Sequence, residues 1–90
     1  MLKIETTEQF AKDIKKQKAL GQDMKKLRPI IEDLVQHRPL ALFYCDNPIP
    51  NGRGRWNCRV SFNWWLIYKC DMTTGTIVFE RTGSVKDLFE

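Results

Sequence analysis

The segment RWNCRVSFNWWLIYKCDMTTGTIVFERTG, residues 55–83, decides the fold of this chain. Residues 56–62 alternate between apolar and polar side chains, as the two faces of a strand require. Residues 64–70 are rich in aromatic and branched side chains, which are also typical of strands. A turn-forming DMTTG sequence separates this second run from a third, residues 76–82. The segment therefore predicts three consecutive strands.

The residues before this segment predict a short strand and two helices. Residues 2–6 alternate between apolar and polar side chains, which indicates a strand with one buried face. Thr6 is the predicted N-cap of the first helix, with Gln9 as its reciprocal partner in a capping box. Pro29 lies inside the second helix, so we expect either a kink or a helix that begins near Arg28. The apolar stripe of the first helix is narrow and contains Phe10, Ala11, Ile14 and Lys18.

The predicted order of elements is β-α-α-β-β-β. This is an α+β fold in which two N-terminal helices pack on a small, mostly antiparallel sheet. The chain has 90 residues, of which 42% are hydrophobic, enough for one hydrophobic core and a single domain, residues 1–90. Prolines and glycines concentrate in residues 38–55, which we expect to be rich in loops.

Composition also bears on where the protein works. No apolar stretch approaches the ~18–20 residues that a membrane span requires. Residues 1–5 lack the apolar segment of a secretory signal. The three cysteines, Cys45, Cys58 and Cys70, are odd in number and widely spaced, which suits neither a disulfide framework nor a zinc site. We therefore expect a cytoplasmic protein with reduced thiols and no membrane partner.

The positive charge is concentrated in the N-terminal third. Residues 1–28 contain eight Lys/Arg and four Asp/Glu, an excess that equals the net charge of the whole chain, +4. Such a patch suggests a polyanion or an acidic protein as partner, although a solvated lysine-rich face would have the same composition. The residues predicted to contact RNA or the ribosome are Lys12, Lys15, Lys16, Lys25 and Lys26.

Common catalytic and cofactor motifs are missing from the sequence. It contains no G-x-G-x-x-G, P-loop or H-E-x-x-H pattern. Its single histidine, His37, is expected at the C-terminus of the second helix, where the helix dipole favours a cation. Because the single histidine is expected at a helix end, it is not available for a Ser-His-Asp or Cys-His arrangement. We expect neither a metal ion nor a cofactor.

Basic and aromatic side chains alternate through the strand region. Arginine suits phosphate oxygens, and aromatic rings stack on bases, so this pattern fits RNA. It fits a protein-binding hot spot equally well, because tryptophan and arginine dominate such sites. Trp64 is expected in the core, and Trp65, of opposite parity, near a surface. The polar and basic residues that share one predicted surface are Arg53, Arg55, Asn57, Arg59 and Arg81.

Several segments in this order resemble the bacterial type II toxins of the RelE superfamily, specifically the YafQ-like branch. They are GQDMKKL at residues 21–27, PL at 39–40, WWLIYK at 64–69, FERTGS at 79–84 and DLF at 87–89. The resemblance covers nearly the whole chain. It implies the fold given above and the activity of a ribosome-dependent mRNA endoribonuclease. It also implies an antitoxin protein that wraps the toxin, with the ribosome and its mRNA as further partners.

The chain departs from this family at the catalytic positions. Where the resemblance implies three histidines and two carboxylates, the residues are Asn47, Asn57, Arg59, Asn63 and Val85. General acid–base catalysis needs a group that exchanges a proton near pH 7, and none of these side chains does so. Of the usual functional set only Arg81 and Phe89 remain.

Our leading hypothesis from the sequence is therefore a non-catalytic binding protein, engineered or naturally degenerate, on a YafQ-like scaffold. A rebuilt aromatic and arginine-rich cleft would bind a protein partner, with Trp56, Phe62 and Trp65 as its hot spots. The residues of this predicted binding surface are Asn47, Arg53, Arg55, Trp56, Asn57, Arg59, Phe62, Asn63, Trp65, Val85 and Lys86.

Two alternatives remain open. The first is an active type II toxin, a ribosome-dependent mRNA endoribonuclease in which arginines stabilise the scissile phosphate. Its catalytic residues would be Arg81, Arg59 and Phe89. The second is simple association with RNA or the ribosome through the N-terminal lysines, without catalysis.

Overall fold

The structure is a computed structural model and describes residues 1–89. It contains five strands and three α-helices, with short 3-10 helices at Met24–Lys26 and Leu42–Tyr44. The elements in chain order are β1 (Lys3–Thr6), α1 (Glu8–Ala19), α2 (Leu27–Val35), β2 (Asn47–Pro48), β3 (Arg55–Ser61), β4 (Trp64–Asp71), β5 (Thr76–Gly83) and α3 (Val85–Phe89). The sequence did not predict β2 and α3.

The strands form one sheet in the order β1-β5-β4-β3-β2. β1 is parallel to β5, and all other neighbours are antiparallel. The predicted α+β fold with a mostly antiparallel sheet is therefore confirmed. We call one side of β3–β5 the helix-covered face, because Cys58, Leu66 and Phe79 join Leu27 and Ile30 of α2 in the core there. We call the other side the open face; it carries Arg55, Asn57, Arg59, Trp65, Ile67 and Arg81.

The start of α1 differs from the prediction. Thr7, not Thr6, is the N-cap, and its hydroxyl oxygen accepts a hydrogen bond from the backbone N–H of Phe10 at 3.0 Å. Thr6 is still part of β1, where it pairs with Phe79, so the helix begins one residue later. Gln9 donates to Asp13 at 3.0 Å instead of closing a capping box.

Two predicted apolar faces in this region are also corrected. All four residues of β1 are exposed, Ile4 to 49%, and of the predicted residues 2–6 Leu2 alone, just before β1, is buried. The buried residues of α1 are Phe10, Asp13 and Gln17, whereas Lys18 of the predicted stripe is exposed. The buried side of α1 is thus more polar than the sequence pattern indicated.

The second helix follows one of the two predicted forms. α2 begins at Leu27, one residue before Arg28. Pro29 is therefore its third residue, in the first turn, where a backbone N–H has no partner inside the helix. At this position the proline costs α2 no hydrogen bond. The apolar side of α2 supplies Leu34 and Val35 to the core.

A β-bulge between β4 and β5 sets which side chains of β5 reach each face. Phe79 lies opposite Tyr68 and Arg81 opposite Ile67, which leaves Glu80 as an extra residue. Strict alternation would give Phe79 and Arg81 the same face. Because of the extra residue, Phe79 enters the core while Arg81 reaches the open face, as bulges commonly re-aim a side chain.

The two adjacent tryptophans lie on opposite sides of β4, as predicted. Trp64 is fully buried, and Trp65 lies half-buried on the open face. Phe62 does not continue the face of Cys58 as predicted. It lies in the two-residue turn before β4, beside Asn63 at φ 52°, and is 93% exposed.

The bulge brings Thr82 into the core, where its hydroxyl group links two strands. Thr82 is 1% exposed, accepts a hydrogen bond from Trp64 Nε1 at 2.8 Å and donates one to the Trp65 carbonyl oxygen at 2.7 Å. A buried donor that loses its acceptor costs ~1–3 kcal/mol.

We expect Thr82→Val to lower the free energy of unfolding by about 1–3 kcal/mol, because valine keeps the volume but leaves the Trp64 indole N–H unsatisfied. Denaturant titration monitored by tryptophan fluorescence measures this loss. Thr73→Val, in the exposed turn between β4 and β5, is the matched control with little expected effect. Equal midpoints for the two variants would show that the buried hydrogen bond contributes nothing.

Candidate functional site

A pocket of about 350 Å³ opens on the open face of the sheet. Four elements build it: the loop after β2, the strands β3 and β4, and the C-terminal helix α3. Its wall is apolar and aromatic except for one amide, that of Asn57. The lining residues are Ile49, Pro50, Asn57, Trp65, Val85 and Phe89.

Polar contacts at its N-terminal end and its middle hold the short helix α3, which carries Val85 and Phe89. Asp87 accepts a hydrogen bond from Ser84 N at 3.3 Å, and Asp87 N donates to Ser84 Oγ at 3.1 Å. Lys16 Nζ of α1 lies 2.9 Å from Asp87 Oδ1, and this hydrogen bond lowers the pKa of the Asp87 carboxyl. Asn63 Oδ1 accepts from Val85 N at 3.3 Å. These contacts attach α3 to α1 and to the β3–β4 turn.

Arg81 is held on the open face by a carboxylate of α1. Arg81 Nε donates to Asp13 Oδ2 at 2.7 Å, and Arg81 Nη2 donates to Asp13 Oδ1 at 3.3 Å. Asp13 also accepts from the backbone N–H of Thr82 at 3.1 Å. Burial alone would raise the pKa of Asp13, but the hydrogen bonds from Arg81, Gln9 and Thr82 lower it below its ordinary value. The carboxylate is therefore ionised at neutral pH.

The other arginines of the open face differ in how their charge is balanced. Arg55 Nε lies 2.5 Å from Glu80 Oε1, so a carboxylate pairs with it. Arg59 instead donates to the Phe43 carbonyl oxygen at 3.2 and 2.8 Å, and its guanidinium carbon lies 4.7 Å from the centre of the Phe43 ring. Within residues 1–89, no carboxylate oxygen lies within 4.0 Å of Arg59. Its positive charge is available to a ligand.

The structure brings most of the sequence-predicted site residues to this side of the sheet. Asn57, Trp65, Val85 and Phe89 line the pocket itself. The open face also holds Arg55, Arg59 and Arg81. At its margins, Asn47 pairs with Asn57 across β2 and β3, and Asn63 contacts Val85 as described.

Other predicted residues lie elsewhere. Trp56 is on the helix-covered side of β3 and lines a different pocket. Phe62 and Arg53 lie in exposed turns, and Lys86 is exposed on α3. The predicted hot spots Trp56, Phe62 and Trp65 are thus divided among two faces and a turn and do not form one patch.

The pocket that Trp56 lines has a volume of about 370 Å³ and also contains His37, Asp46 and Tyr68. Tyr68 donates to Asp46 at 2.5 Å. Burial raises the pKa of the Asp46 carboxyl, although the Tyr68 hydrogen bond opposes the rise, and burial followed by Asp46 raises the pKa of Tyr68. Burial, with a smaller contribution from Asp46, raises the pKa of the Cys58 thiol to about 12. Because His37 lines this pocket on the helix-covered side, the single histidine does not belong to the open-face site with Arg81.

Two carboxylates of the site, Asp13 and Glu80, were not predicted from the sequence. Asp13 lies three residues after Phe10 and four before Gln17, on the buried side of α1. A carboxylate at a buried position of a helix needs a cationic partner, so the sequence pattern of α1 could have indicated that Asp13 pairs with a basic side chain. Nothing in the sequence marked Glu80, because its position depends on the bulge.

The five predicted lysines, Lys12, Lys15, Lys16, Lys25 and Lys26, are all exposed on the N-terminal helices. Among carboxylates of residues 1–89, one lies within 4.0 Å of these lysines, that of Asp87 beside Lys16. In the described part of the chain, no three His, Cys, Asp or Glu side chains are arranged to hold a metal ion. No helix within residues 1–89 is long and apolar enough to cross a membrane.

The arrangement has two chemical capacities. Trp65 and Phe89 offer aromatic surfaces against which a planar ring can stack. Arg59 and Arg81 offer N–H donors for an anion such as a phosphate. None of the residues that line the pocket has a side chain that titrates near pH 7. The site suits binding and electrostatic stabilisation better than proton transfer by its own walls.

The chain is similar to known toxins over its whole length. A crystal structure of a metal-bound toxin from Helicobacter pylori has 33% sequence identity and a TM-score of 0.93, covering 99% of this chain and 100% of the other. The E. coli DinJ–YafQ complex (34% identity, TM-score 0.90) and YafQ from E. coli strain BL21(DE3) (34%, 0.89) each cover 100% of both chains. No curated protein sequence gives a significant match.

The profile of one protein family, described as the bacterial toxin of type II toxin–antitoxin systems, YafQ, matches residues 2–90. The resemblance drawn from the sequence segments is confirmed. These matches support a toxin, and they give no support to an engineered binding protein. The chain belongs to the YafQ family of type II toxins.

Proposed function

We propose that this protein is a cytoplasmic, ribosome-dependent mRNA endoribonuclease whose active site is the open-face pocket with Arg59 and Arg81. The observation that carries the proposal is the position of Arg81. Its guanidinium group is fixed on the same face as the aromatic pocket, with N–H groups left over after its two bonds to Asp13. Arginine on the same face as an aromatic cleft suits a nucleotide, because the ring stacks and the phosphate pairs.

In the proposed reaction the 2′-hydroxyl oxygen of one nucleotide attacks its neighbouring phosphate, and the bond from phosphorus to the 5′-oxygen of the next nucleotide breaks. The products are a 2′,3′-cyclic phosphate and a 5′-hydroxyl; the proton that the 2′-hydroxyl loses goes to water, and the leaving oxygen takes one from water. Negative charge then develops on the phosphate oxygens, and fixed positive charges lower the energy of that transition state. Arg81 and Arg59 would supply these charges, while Trp65 and Phe89 would hold the base. Since none of the lining residues within residues 1–89 offers a general base, these residues would contribute electrostatics and positioning rather than proton transfer.

We also propose an antitoxin as the physiological partner. YafQ of E. coli has been solved in complex with DinJ in two crystal structures, at 34% and 33% identity to this chain. An antitoxin would suppress the activity until it is removed. A toxin with the proposed activity would require such a partner, because free toxin would cut the messages of its own cell.

We expect Arg81→Ala to abolish growth arrest when the chain is expressed alone in bacteria. The loss of a preorganised charge at a transition state costs about 10²–10³ in rate, so cleavage of a reporter mRNA should fall by that factor. Primer extension on the reporter in a reconstituted translation system measures the cleavage.

The control for this prediction is Arg38→Ala. Arg38 is exposed, lies just after α2 and away from the open face, and its Nε is 2.9 Å from Asp33 Oδ1 of α2. That variant should arrest growth like the unmodified chain. Cleavage at full rate by Arg81→Ala would refute the assignment of Arg81. An unmodified chain that neither arrests growth nor cuts RNA would refute the endoribonuclease itself.

A second candidate function is binding without cleavage on the same scaffold. It is favoured by one observation, the lack of a titratable side chain among the six residues that line the pocket. The two candidates separate in the same experiment. A non-cleaving protein would be expressed in healthy cells at good yield and would leave the reporter mRNA intact.

The N-terminal lysines lead to a separate prediction about RNA affinity. Each phosphate contact on single-stranded RNA contributes about 0.7 to the slope of log Kd against log salt concentration. We expect Lys12→Ala with Lys15→Ala to weaken binding at low salt and to reduce the slope by about 1–1.5. Fluorescence anisotropy with a labelled RNA oligonucleotide measures both quantities. Lys3→Ala, on the edge strand β1, is the control, and an unchanged slope in the double variant would remove these lysines from the RNA interface.

A further inference from the structure

We infer that Asp13 of α1 is a positioning residue for Arg81, which it orients toward the RNA phosphate at the open face. The inference rests on the proposed function, since it assigns Asp13 a role through the arginine of that same site. Asp13 does not line the pocket and has no proposed contact with RNA. Its role would be to hold one orientation of the guanidinium group.

The position of α1 explains how a helix residue reaches the open face. β1 ends at Thr6, and beyond that point α1 runs along the edge of β5 that β1 has left unpaired. Thr7 occupies the first carbonyl groups of this edge: its backbone N–H donates to Phe79 O at 3.3 Å and its hydroxyl to Glu80 O at 2.8 Å. Six residues further along α1, Asp13 accepts the backbone N–H of Thr82.

The acceptor capacity of Asp13 is fully used. Oδ2 accepts from Arg81 Nε at 2.7 Å and from Thr82 N at 3.1 Å, while Oδ1 accepts from Arg81 Nη2 at 3.3 Å and from Gln9 Nε2 at 3.0 Å. Asp13 is only 6% exposed, so these bonds are shielded from water. Two bonds to one planar group fix its plane as well as its place, which a single bond would not do.

The guanidinium group keeps donors for a ligand in this arrangement. Of its five N–H bonds, the Nε–H and one on Nη2 point to Asp13, and three remain. The Arg81 side chain is 35% exposed. A clamp on one edge of the group therefore leaves the opposite edge open to a phosphate oxygen, without the entropy cost of ordering a free arginine.

A double-mutant cycle in the cleavage assay tests the inference. Asp13→Asn keeps the size of the side chain but places an amide donor against the N–H groups of Arg81 and Thr82. We expect Asp13→Asn to lower cleavage about 10–100-fold, the order of loss produced by misplacing a reacting group by ~1 Å. In the Arg81→Ala background the same substitution should cause no further loss, because the group it positions is gone. Asp33→Asn, which breaks the α2 ion pair with Arg38, is the matched control.

The cycle separates positioning from simple stability. Asp13→Asn should lower the free energy of unfolding both in the unmodified chain and in Arg81→Ala, because the hydrogen bond from Thr82 N is lost in each. The coupling between Asp13 and Arg81 is therefore measured by activity and not by stability. Equal losses of activity in both backgrounds, or full activity of Asp13→Asn, would overturn the inference while leaving the proposed function intact. Full activity of Arg81→Ala, or no cleavage by the unmodified chain, would overturn both.

A measurement on the unmodified protein covers the case in which Asp13→Asn fails to fold. In nitrogen-15 NMR spectra, a clamped guanidinium group gives separate Nη signals because its rotation is slow. We expect separate signals for Arg81 and averaged signals for the exposed Arg53. Averaged signals for Arg81 would overturn the inference without any variant.

Discussion

The extra residue at Glu80 is the constraint on which the rest of the site depends. It shifts the alternation of β5 by one, so Arg81 reaches the open face and Thr82 enters the core. Each outcome is then stabilised by a specific partner: Asp13 pairs with the arginine, and the Trp64 indole donates to the threonine. If Glu80 instead paired as a regular strand residue, without the bulge, alternation would bury the charge of Arg81 and expose the hydroxyl of Thr82, so the site and the core require the same irregularity.

The same irregularity explains which parts of the fold could be predicted. Local alternation predicted β3, and aromatic and branched residues predicted β4. The missing N–H of Pro29 left two forms open for α2, a kink or a start near Arg28, and the structure has the second. Alternation cannot reveal an inserted residue, because the letters around Glu80 read as an ordinary strand. The start of α1 was misplaced by one residue for a related reason. Thr6 belongs to β1 because it pairs with Phe79, and a residue so far away in the sequence leaves no local signal at Thr6.

The site was predictable in composition but not in arrangement. Residue types indicated an aromatic, arginine-rich surface, and Asn57, Trp65 and Phe89 do line one pocket. Which arginine keeps an uncompensated charge depends on carboxylates far away in sequence, such as Asp13 for Arg81 and Glu80 for Arg55. The separation of Trp56 from Trp65 follows from strand pairing, which composition does not encode.

The helix that carries Phe89 has only five residues, and none of them is buried. A helix this short does not persist alone in water, so α3 depends on its contacts with Lys16 and Asn63. Breaking those few bonds would release one wall of the pocket while the sheet stays folded, a local opening far cheaper than global unfolding. The sheet side of the cleft is therefore stable, whereas the side formed by α3 can open by local unfolding. The width of the cleft depends on α3, whose backbone amides we expect to be among the least protected from hydrogen exchange in the protein.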